Sequence, residues 1–151
     1  MGEETMGKYS RSTPSKACLA VCGTLAEALG DGNQELVCAY LFGSVARGED
    51  QPGSDVDVAV LFREDPPRTL AGLHLDLADR LTGLLGGRHV DLVVLNRAPV
   101  DLVHRVLRDG VLLLERDRSA RIRFEVRARN EYFDLLPHLH RYRRGRDEAE
   151  P

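Results

Sequence analysis

The sequence predicts one α/β (α+β) domain in which a small mixed sheet of about four strands is flanked by helices, with a long helix at the C-terminus. Short β-prone runs bounded by glycine, proline or aspartate alternate with longer segments whose apolar residues recur at steps of three and four. A chain of 151 residues, 42% of them hydrophobic, is long enough to bury its own core without disulfides. Together these observations indicate a single globular domain.

Eight elements follow one another along the chain. Helices are predicted where apolar residues show helical spacing, and strands where a short β-prone run lies between turn-forming residues. Glycine-containing turns end the helices, and Pro99 opens one of them near its first turn. The order is a helix at 14–29, strands at 36–42 and 56–62, a helix at 69–85, a strand at 89–95, a helix at 99–108, a strand at 111–115 and a helix from 118 to about 136.

We place the domain at residues 14–140, with a segment of different composition at either end. Residues 1–13 are polar and show no periodicity, so we expect them to form a flexible N-terminal lead-in. Residues 141–151 are mostly charged, which predicts a solvated, charged C-terminal tail.

Composition narrows the classes of function and the compartment. The net charge of -3 argues against a general nucleic-acid-binding protein, because such proteins carry a clear excess of basic residues. No apolar run approaches the roughly 20 residues that a membrane-spanning helix needs. Cys18, Cys22 and Cys38 are odd in number and lack CxxC spacing, which is typical of a reducing compartment. We therefore expect a cytoplasmic protein, with Cys18 and Cys22 as small buried residues.

Acidic residues interrupt two of the predicted strands. In the stretch LFGSVARGEDQPGSDVDVAV, residues 41–60, Asp55 and Asp57 project to the same side, about 6 to 7 Å apart along the backbone, because side chains alternate between faces. Asp91 is flanked by apolar residues in the run HVDLVVL. If the two strands are neighbours in the sheet, three carboxylates converge.

Three converging carboxylates require protons or a compensating cation. Two charges about 6 Å apart repel by roughly 2 to 3 kcal/mol at an effective dielectric of about 20, which is large against a total stability of about 5 to 15 kcal/mol. Mg²⁺ prefers hard oxygen ligands and commonly shares its coordination with phosphates, whereas the absence of cysteine and histidine from the cluster disfavours zinc. Asp55, Asp57 and Asp91 are therefore candidate ligands of one or two Mg²⁺ ions.

The residues before this loop are suited to binding phosphate. Gly43 lets the backbone approach a phosphate closely, and the Ser44 hydroxyl can donate a hydrogen bond to a phosphate oxygen. A short helical turn beginning near Val45 would direct its N–H groups the same way, and the Arg47 guanidinium adds a positive fork. The segment is not a Walker loop, because no Lys-Ser/Thr pair follows Gly48.

This stretch resembles the nucleotidyltransferase signature of the DNA polymerase β-like superfamily. It is most similar to the minimal nucleotidyltransferase (MNT) domains, which are known chiefly as antitoxins paired with HEPN toxins. The resemblance implies the nucleotidyltransferase fold and covers nearly the whole chain beyond its first dozen residues. Asp91 matches the family's third carboxylate by its place in the next strand. The other matching residues are Gly43, Ser44, Ala46, Arg47, Gly48, Ser54, Asp55 and Asp57.

The resemblance also implies a reaction and its ligands. It implies transfer of a nucleoside monophosphate from a triphosphate, here expected to be ATP, to a hydroxyl, with release of pyrophosphate. Asp55, Asp57 and Asp91 would be the catalytic and metal-binding residues, and Asp91 would contact the metal nearest the acceptor or take the acceptor's proton. The nucleotide-binding residues would be Gly43, Ser44, Arg47 and Ser54.

A HEPN ribonuclease toxin is the partner that the resemblance implies. A chain of this size has no room for a separate acceptor-binding domain, so the favoured acceptor is a protein that brings its own surface. We expect an antitoxin that transfers AMP to a tyrosine of the toxin and forms a hetero-oligomer with it, without membrane contact or direct nucleic-acid binding. Two alternatives stay open: a non-catalytic antitoxin that binds and masks the toxin, and a nucleotidyltransferase that acts on a small molecule such as an aminoglycoside.

The C-terminal helix has two interpretations. Its apolar residues could dock the partner, or they could pack into the core of the domain. Ile122, Val126, Phe133 and Leu136 fall on one side of the predicted helix. The residues considered for docking are Tyr132, Phe133, Leu135, Leu136 and Tyr142.

Overall fold

The computed structural model describes residues 16–31, 34–66 and 71–147, so the predicted lead-in at 1–13 lies outside the described residues. Within these ranges the chain forms a four-stranded mixed sheet with helices on both faces, which confirms the predicted fold class. None of the helices in the same ranges is long and apolar enough to cross a membrane. The elements are α1 (Lys16–Gly30), β1 (Leu36–Phe42), α2 (Gly43–Arg47), β2 (Val56–Phe62), α3 (Ala71–Leu84), β3 (Val90–Val94), α4 (Val100–Asp109), β4 (Val111–Glu115) and α5 (Arg118–Asp147).

The strand order brings three segments of the chain to one edge of the sheet. The order is β3-β2-β1-β4, in which β1 runs antiparallel to both of its neighbours and β2 runs parallel to β3. The end of β1 therefore lies beside the beginning of β2, which in turn lies beside the beginning of β3. In this register Phe42 is opposite Asp57, and Asp57 is opposite Asp91.

Apolar side chains fill the space on both faces of the sheet. On one face Leu25 of α1 and Leu81 of α3 are fully buried, and on the other Val106 of α4 is fully buried. Cys18 and Cys22 belong to the first of these layers, as expected for small buried residues. Because burying one large aliphatic side chain is worth about 1.5 to 3 kcal/mol, these two layers hold the helices against the sheet.

The third strand is shorter than its apolar run predicts. β3 ends at Val94, and residues Leu95–Arg97 form a single 3₁₀ turn. The Asn96 side chain shows where the pairing ends, because its amide accepts a hydrogen bond from the Phe62 N–H at 2.9 Å and donates one to the Phe62 carbonyl at 2.9 Å. A side chain thus replaces the backbone partner that a longer β3 would have supplied to β2.

The last helix runs beyond its predicted end. It continues through Pro137 to Asp147, so the predicted end near residue 136 was wrong. Residues 141–147 of the segment predicted as a charged tail are helical, and residues 141–146 are exposed. The Asp117 carboxylate caps the first turn by accepting a hydrogen bond from the Ala120 N–H at 3.0 Å. Arginine is a strong helix former, and basic residues in the last turn suit the negative end of the helix dipole. The charge run therefore extends the helix.

A buried ion-pair network fastens α5 to the sheet. Arg121 is 5% exposed and Glu125 is 4% exposed. The Arg121 guanidinium donates to the Glu125 carboxylate at 2.6 Å and to the Glu115 carboxylate of β4, and the Tyr40 hydroxyl of β1 donates to Glu125 at 2.7 Å. Because a buried charge is costly without its partner, this network fixes how α5 lies on the sheet.

Replacing Arg121 by methionine should destabilise the fold strongly. Methionine fills part of the volume but removes the cation that Glu115 and Glu125 share, and it leaves the buried Glu125 with the more distant guanidinium of Arg129, at 4.0 Å. We expect the free energy of unfolding, measured by urea denaturation, to fall by about 3 to 5 kcal/mol. Arg123 is exposed on the same helix, and Arg123→Met should change the stability by less than about 0.5 kcal/mol. Equal losses in the two variants would contradict a fastening role for the network.

Candidate active site

Two carboxylates stand side by side at the sheet edge where β1 ends and β2 and β3 begin. Asp57 is the second residue of β2 and Asp91 is the second residue of β3, and the parallel register places them directly opposite each other. Such partners project to the same face of a sheet. Asp55 lies two residues before Asp57, and its charge acts on the same carboxyl group. The structure thus places Asp57 and Asp91 on one face of the sheet, with Asp55 in the loop directly before β2 at the same edge.

The pKa of the Asp57 carboxyl group is raised in this arrangement. Partial burial raises the pKa of its carboxyl group, the charges of Asp91 and Asp55 raise it further, and the Arg47 guanidinium opposes the shift. Asp57 is half-buried, whereas Asp55 and Asp91 are exposed. A cation placed among the three would relieve the repulsion, because a nearby opposite charge favours the ionised form of a carboxyl group.

The donor set fits a hard divalent cation, although the three carboxylates do not surround a single point. Among the described residues, no three His, Cys, Asp or Glu side chains stand in a ready metal-binding arrangement. The Asp55 carboxylate is turned instead toward His89, with 3.5 Å between its Oδ1 and the His89 Nδ1. Both side chains are mostly exposed, and exposed side chains change rotamer readily. Rotation of the Asp55 side chain away from His89 would free its carboxylate oxygens, which are of the ligand class that Mg²⁺ prefers.

Gly43 makes room for the Asp57 carboxylate. It begins α2 with a φ of 75°, a left-handed conformation that glycine adopts without strain. A Cβ atom at this position would lie 2.1 Å from the Asp57 Oδ2. The backbone therefore passes directly beside the carboxylate, and helix α2 begins here rather than near Val45, where the sequence placed its start.

The other predicted nucleotide ligands lie on either side of the loop between α2 and β2. Ser44 is half-buried in the first turn of α2, and Arg47 is exposed at its end, where its Nε donates to the Glu49 carboxylate at 3.0 Å. The Ser54 hydroxyl oxygen accepts a hydrogen bond from the Gln51 N–H at 2.8 Å, and the Ser54 N–H donates to the Gln51 carbonyl. Ser54 therefore closes a turn, and the roles of all three toward a nucleotide stay predictions.

Arg88 fastens the loop that carries Asp55 to the beginning of β3. Its Nε donates to the Ser54 carbonyl at 2.9 Å, and its Nη2 donates to the Asp50 carboxylate at 3.0 Å. These two contacts hold the loop against the strand that carries the third carboxylate. Sequence reasoning missed Arg88, because a single arginine in a glycine-rich turn belongs to no periodic pattern. The available signal was its position at the entry to the strand.

Comparison with known families identifies the chain. A family model described as polymerase beta, nucleotidyltransferase, matches residues 26–119, which include every site residue discussed above. The chain belongs to the polymerase β nucleotidyltransferase family. This is the superfamily that the stretch at 41–60 indicated. No curated protein is significantly similar to this nucleotidyltransferase chain.

Solved structures of toxin–antitoxin complexes contain similar nucleotidyltransferase chains. One, a toxin–antitoxin crystal structure with AMP-PNP, matches at 27% identity with a TM-score of 0.69, covering 80% of this chain and 94% of that chain. Another, a tri-AMPylated Shewanella oneidensis HEPN toxin in complex with MNT antitoxin, matches at 25% identity with a TM-score of 0.65, covering 83% and 94%. The toxin–antitoxin MntA–HepT matches at 25% identity with a TM-score of 0.65, covering 82% and 94%. The resemblance to MNT antitoxins is thus confirmed.

Gly43→Ala should disturb the site more than a matched glycine substitution on the same helix. Gly48, at the other end of α2, also has a positive φ, of 71°, but no atom lies within 4 Å of an added Cβ there. Gly48→Ala should therefore lose only about 1 to 2 kcal/mol from the strained backbone. Gly43→Ala should lose more and weaken the binding of Mg²⁺·ATP about tenfold, because it displaces the Asp57 carboxylate. Thermal unfolding with and without Mg²⁺·ATP measures both effects, and identical behaviour of the two variants would contradict the close approach.

Asp57→Asn should stabilise the metal-free chain in a pH-dependent way. The folded state binds the Asp57 proton more tightly than the unfolded state, so ionisation of this group lowers stability as pH rises from the ordinary value of 3.8 through the raised folded pKa. Asparagine has no such ionisation. With EDTA present, we expect the melting temperature of the variant to exceed that of the native chain by about 2 to 4 °C at neutral pH. The advantage should shrink as pH falls through that window, and a pH-independent difference would contradict the assignment.

Proposed function

We propose that this chain is an antitoxin that transfers AMP from ATP to a tyrosine hydroxyl of a cognate HEPN ribonuclease toxin and so neutralises it. The observation that carries the proposal is the placement of Asp57 beside Asp91, with Asp55 at the same edge, in a chain of the polymerase β nucleotidyltransferase family. The similar toxin–antitoxin complexes support the choice of nucleotide and partner, since one contains AMP-PNP and another contains a tri-AMPylated HEPN toxin.

Asp55, Asp57 and Asp91 would hold one or two Mg²⁺ ions. Their hard oxygen donors match this ion. Partial burial and the acidic neighbours raise the pKa of Asp57, which marks a place where positive charge is favourable. When bound, Mg²⁺ supplies the positive charge that neutralises the triphosphate.

The reaction would join the tyrosine oxygen to the α-phosphorus of ATP. As that bond forms, the bond from the α-phosphorus to the oxygen that bridges to the β-phosphate breaks, and pyrophosphate leaves with the electron pair. The phenolic proton, whose ordinary pKa is about 10, passes to the Asp91 carboxylate. The exposure of Asp91 suits this role, because a tyrosine of another protein must reach it.

The junction of β1 and α2 would bind the phosphates. Ser44 directly follows Gly43, which lies against the Asp57 carboxylate, so its hydroxyl is available at the same edge of the sheet. Arg47 is exposed and close enough to lower the pKa of Asp57, and it would supply positive charge to the leaving pyrophosphate. The Ser54 hydroxyl accepts a hydrogen bond within its turn and keeps its proton as a donor.

The proposal predicts that label from ATP enters the toxin. The full chain, a HEPN toxin encoded beside it, Mg²⁺ and α-labelled ATP are incubated together, and both polypeptides are weighed by mass spectrometry. We expect Asp57→Asn to lower the rate by about a thousandfold, since the metal contributes several kcal/mol, and Asp91→Asn to lower it by about 10² to 10⁴. Asp79→Asn, an exposed position on α3, should leave the rate unchanged.

Other outcomes would assign a different function. Neutralisation of the toxin by a chain with both Asp55→Asn and Asp57→Asn, at native expression, would contradict the enzymatic proposal and indicate binding and masking alone. Label that enters an aminoglycoside rather than a polypeptide would indicate a small-molecule nucleotidyltransferase. Unchanged labelling of the toxin by Asp57→Asn would exclude this site.

A further inference from the structure

We propose that one exposed side of α5 docks the protein whose tyrosine receives AMP, an inference that rests on the proposed function. We call this side the outer stripe and define it as Ile122, Val126, Phe133 and Leu136. The partner that it fits has an apolar centre and an acidic rim.

The outer stripe is not used by the fold. Its residues are separated by four, seven and three positions, so in a helix of 3.6 residues per turn they lie along one side. A different side of α5 faces the sheet, where Arg121, Phe124 and Ala128 are buried. Ile122, Val126 and Phe133 are exposed and Leu136 is half-buried. Apolar side chains exposed together on one side of a helix indicate an interaction surface, whereas isolated ones do not. The exposed fractions are 42% for Ile122, 50% for Val126 and 62% for Phe133.

The stripe extends into the C-terminal half of α5, whose side chains are little buried against the rest of the described residues. From Phe133 to Arg146 every described side chain is exposed or only half-buried. A helical segment of about 12 to 15 residues is marginal in water on its own, and Pro137 removes one of its backbone hydrogen bonds. Contact with another protein would supply the burial that this end of the helix lacks.

Arginines on both sides of the stripe indicate that the docked protein carries negative charge. By helical spacing, Arg118 and Arg129 lie along one side of it, and Arg123 and Arg127 lie along the other. Two of them have carboxylate neighbours within the helix, Glu131 at 3.9 Å from Arg127 and Glu125 at 4.0 Å from Arg129. This concentration of positive charge occurs in a chain whose net charge is -3. A partner with acidic residues around an apolar centre complements the surface. A second copy does not, because pairing α5 with itself would bring arginines against arginines.

RNA is a weaker match than an acidic protein. Binding of RNA relies on positive charge and on aromatic rings that stack with bases. Ile122 and Val126, which form the first half of the stripe, are aliphatic and offer no such contact. An apolar surface on a protein partner would cover these two side chains.

The stripe is connected to the active site through α4. Tyr132, next to the stripe, stacks on His104 of α4 with 3.6 Å between the ring centroids. At the end of α4 the pKa of Asp109 is lowered, first by the Arg108 hydrogen bond and then by charges that include Arg47 of α2. Helix α4 thus packs against both the docking helix and the short helix that opens the active site. A partner on α5 is held next to the elements that form the site.

Binding of the toxin to variants of the stripe tests the proposal without relying on catalysis. All variants are made in the full chain carrying Asp57→Asn, and titration calorimetry measures the dissociation constant for the HEPN toxin. We expect Val126→Ser and Phe133→Ser each to weaken binding by about tenfold or more. Leu75 on α3 has the same exposed fraction as Phe133, 62%, and Leu75→Ser should change binding by less than about twofold. Circular dichroism and the melting temperature verify that each variant is folded.

The arginines on both sides of the stripe, here called the rim, are tested separately by the rate of association. Arg123→Glu combined with Arg127→Glu should slow association with the toxin about tenfold or more at low salt, and the effect should diminish at high salt. Equal binding by the stripe variants and by Leu75→Ser would overturn the proposal. So would stripe variants that lose only self-association in sedimentation, or rim variants that lose only the binding of a polyuridine RNA. Tight binding by the native chain without transfer of AMP would contradict the proposed function and leave the docking surface supported.

Discussion

The candidate site depends on holding two like charges, those of Asp57 and Asp91, side by side. The parallel pairing of β2 with β3 fixes them there, and each is flanked along its strand by buried aliphatic residues. Burial of one such side chain is worth about 1.5 to 3 kcal/mol, so burial of several of them together exceeds the repulsion of roughly 2 to 3 kcal/mol between two carboxylates. The sheet can therefore keep an unfavourable charge pair ready for a cation. The flanking residues are Val56, Val58, Val90 and Leu92.

A different structural feature positions each of the three carboxylates. Asp91 is placed by strand pairing alone. Asp57 is placed by pairing and by the backbone of Gly43, which leaves no room for a side chain beside it. Asp55 precedes its strand, so its position depends on the loop that Arg88 fastens to the start of β3. The site is thus assembled from segments that are distant in sequence and meet only because the sheet is mixed.

The parts of this arrangement that local patterns encode were predictable from the sequence. The bounds of β1, β2 and β4 follow from the turn residues at their ends. Alternation predicted that Asp55 and Asp57 share one side of a strand, but β2 begins at Val56, so the strand positions only Asp57. The parts that depend on distant contacts were not. The early end of β3 is set by the Asn96 amide, and the clamp formed by Arg88 joins residues far apart in the chain. The extension of α5 was missed because the apolar periodicity ends near residue 136 and the charge run beyond it was interpreted as a solvated tail.

The proposed function requires negative charge at the site of the metal ion and positive charge on the surface that binds the partner. A site made of carboxylates attracts a metal ion and its nucleotide but repels a partner with acidic residues. An arginine-rich helix attracts such a partner but would neutralise the carboxylates if it lay among them. Nine of the 19 arginines lie along α5, whereas the carboxylates lie at the sheet edge. This placement would separate the two charged regions, and a Debye length of about 8 Å at physiological salt limits the overlap of their fields. In the complex proposed above, binding of the acceptor protein on α5 would turn the encounter of its tyrosine with the nucleotide into an intramolecular event, which would remove much of the entropic barrier to transfer.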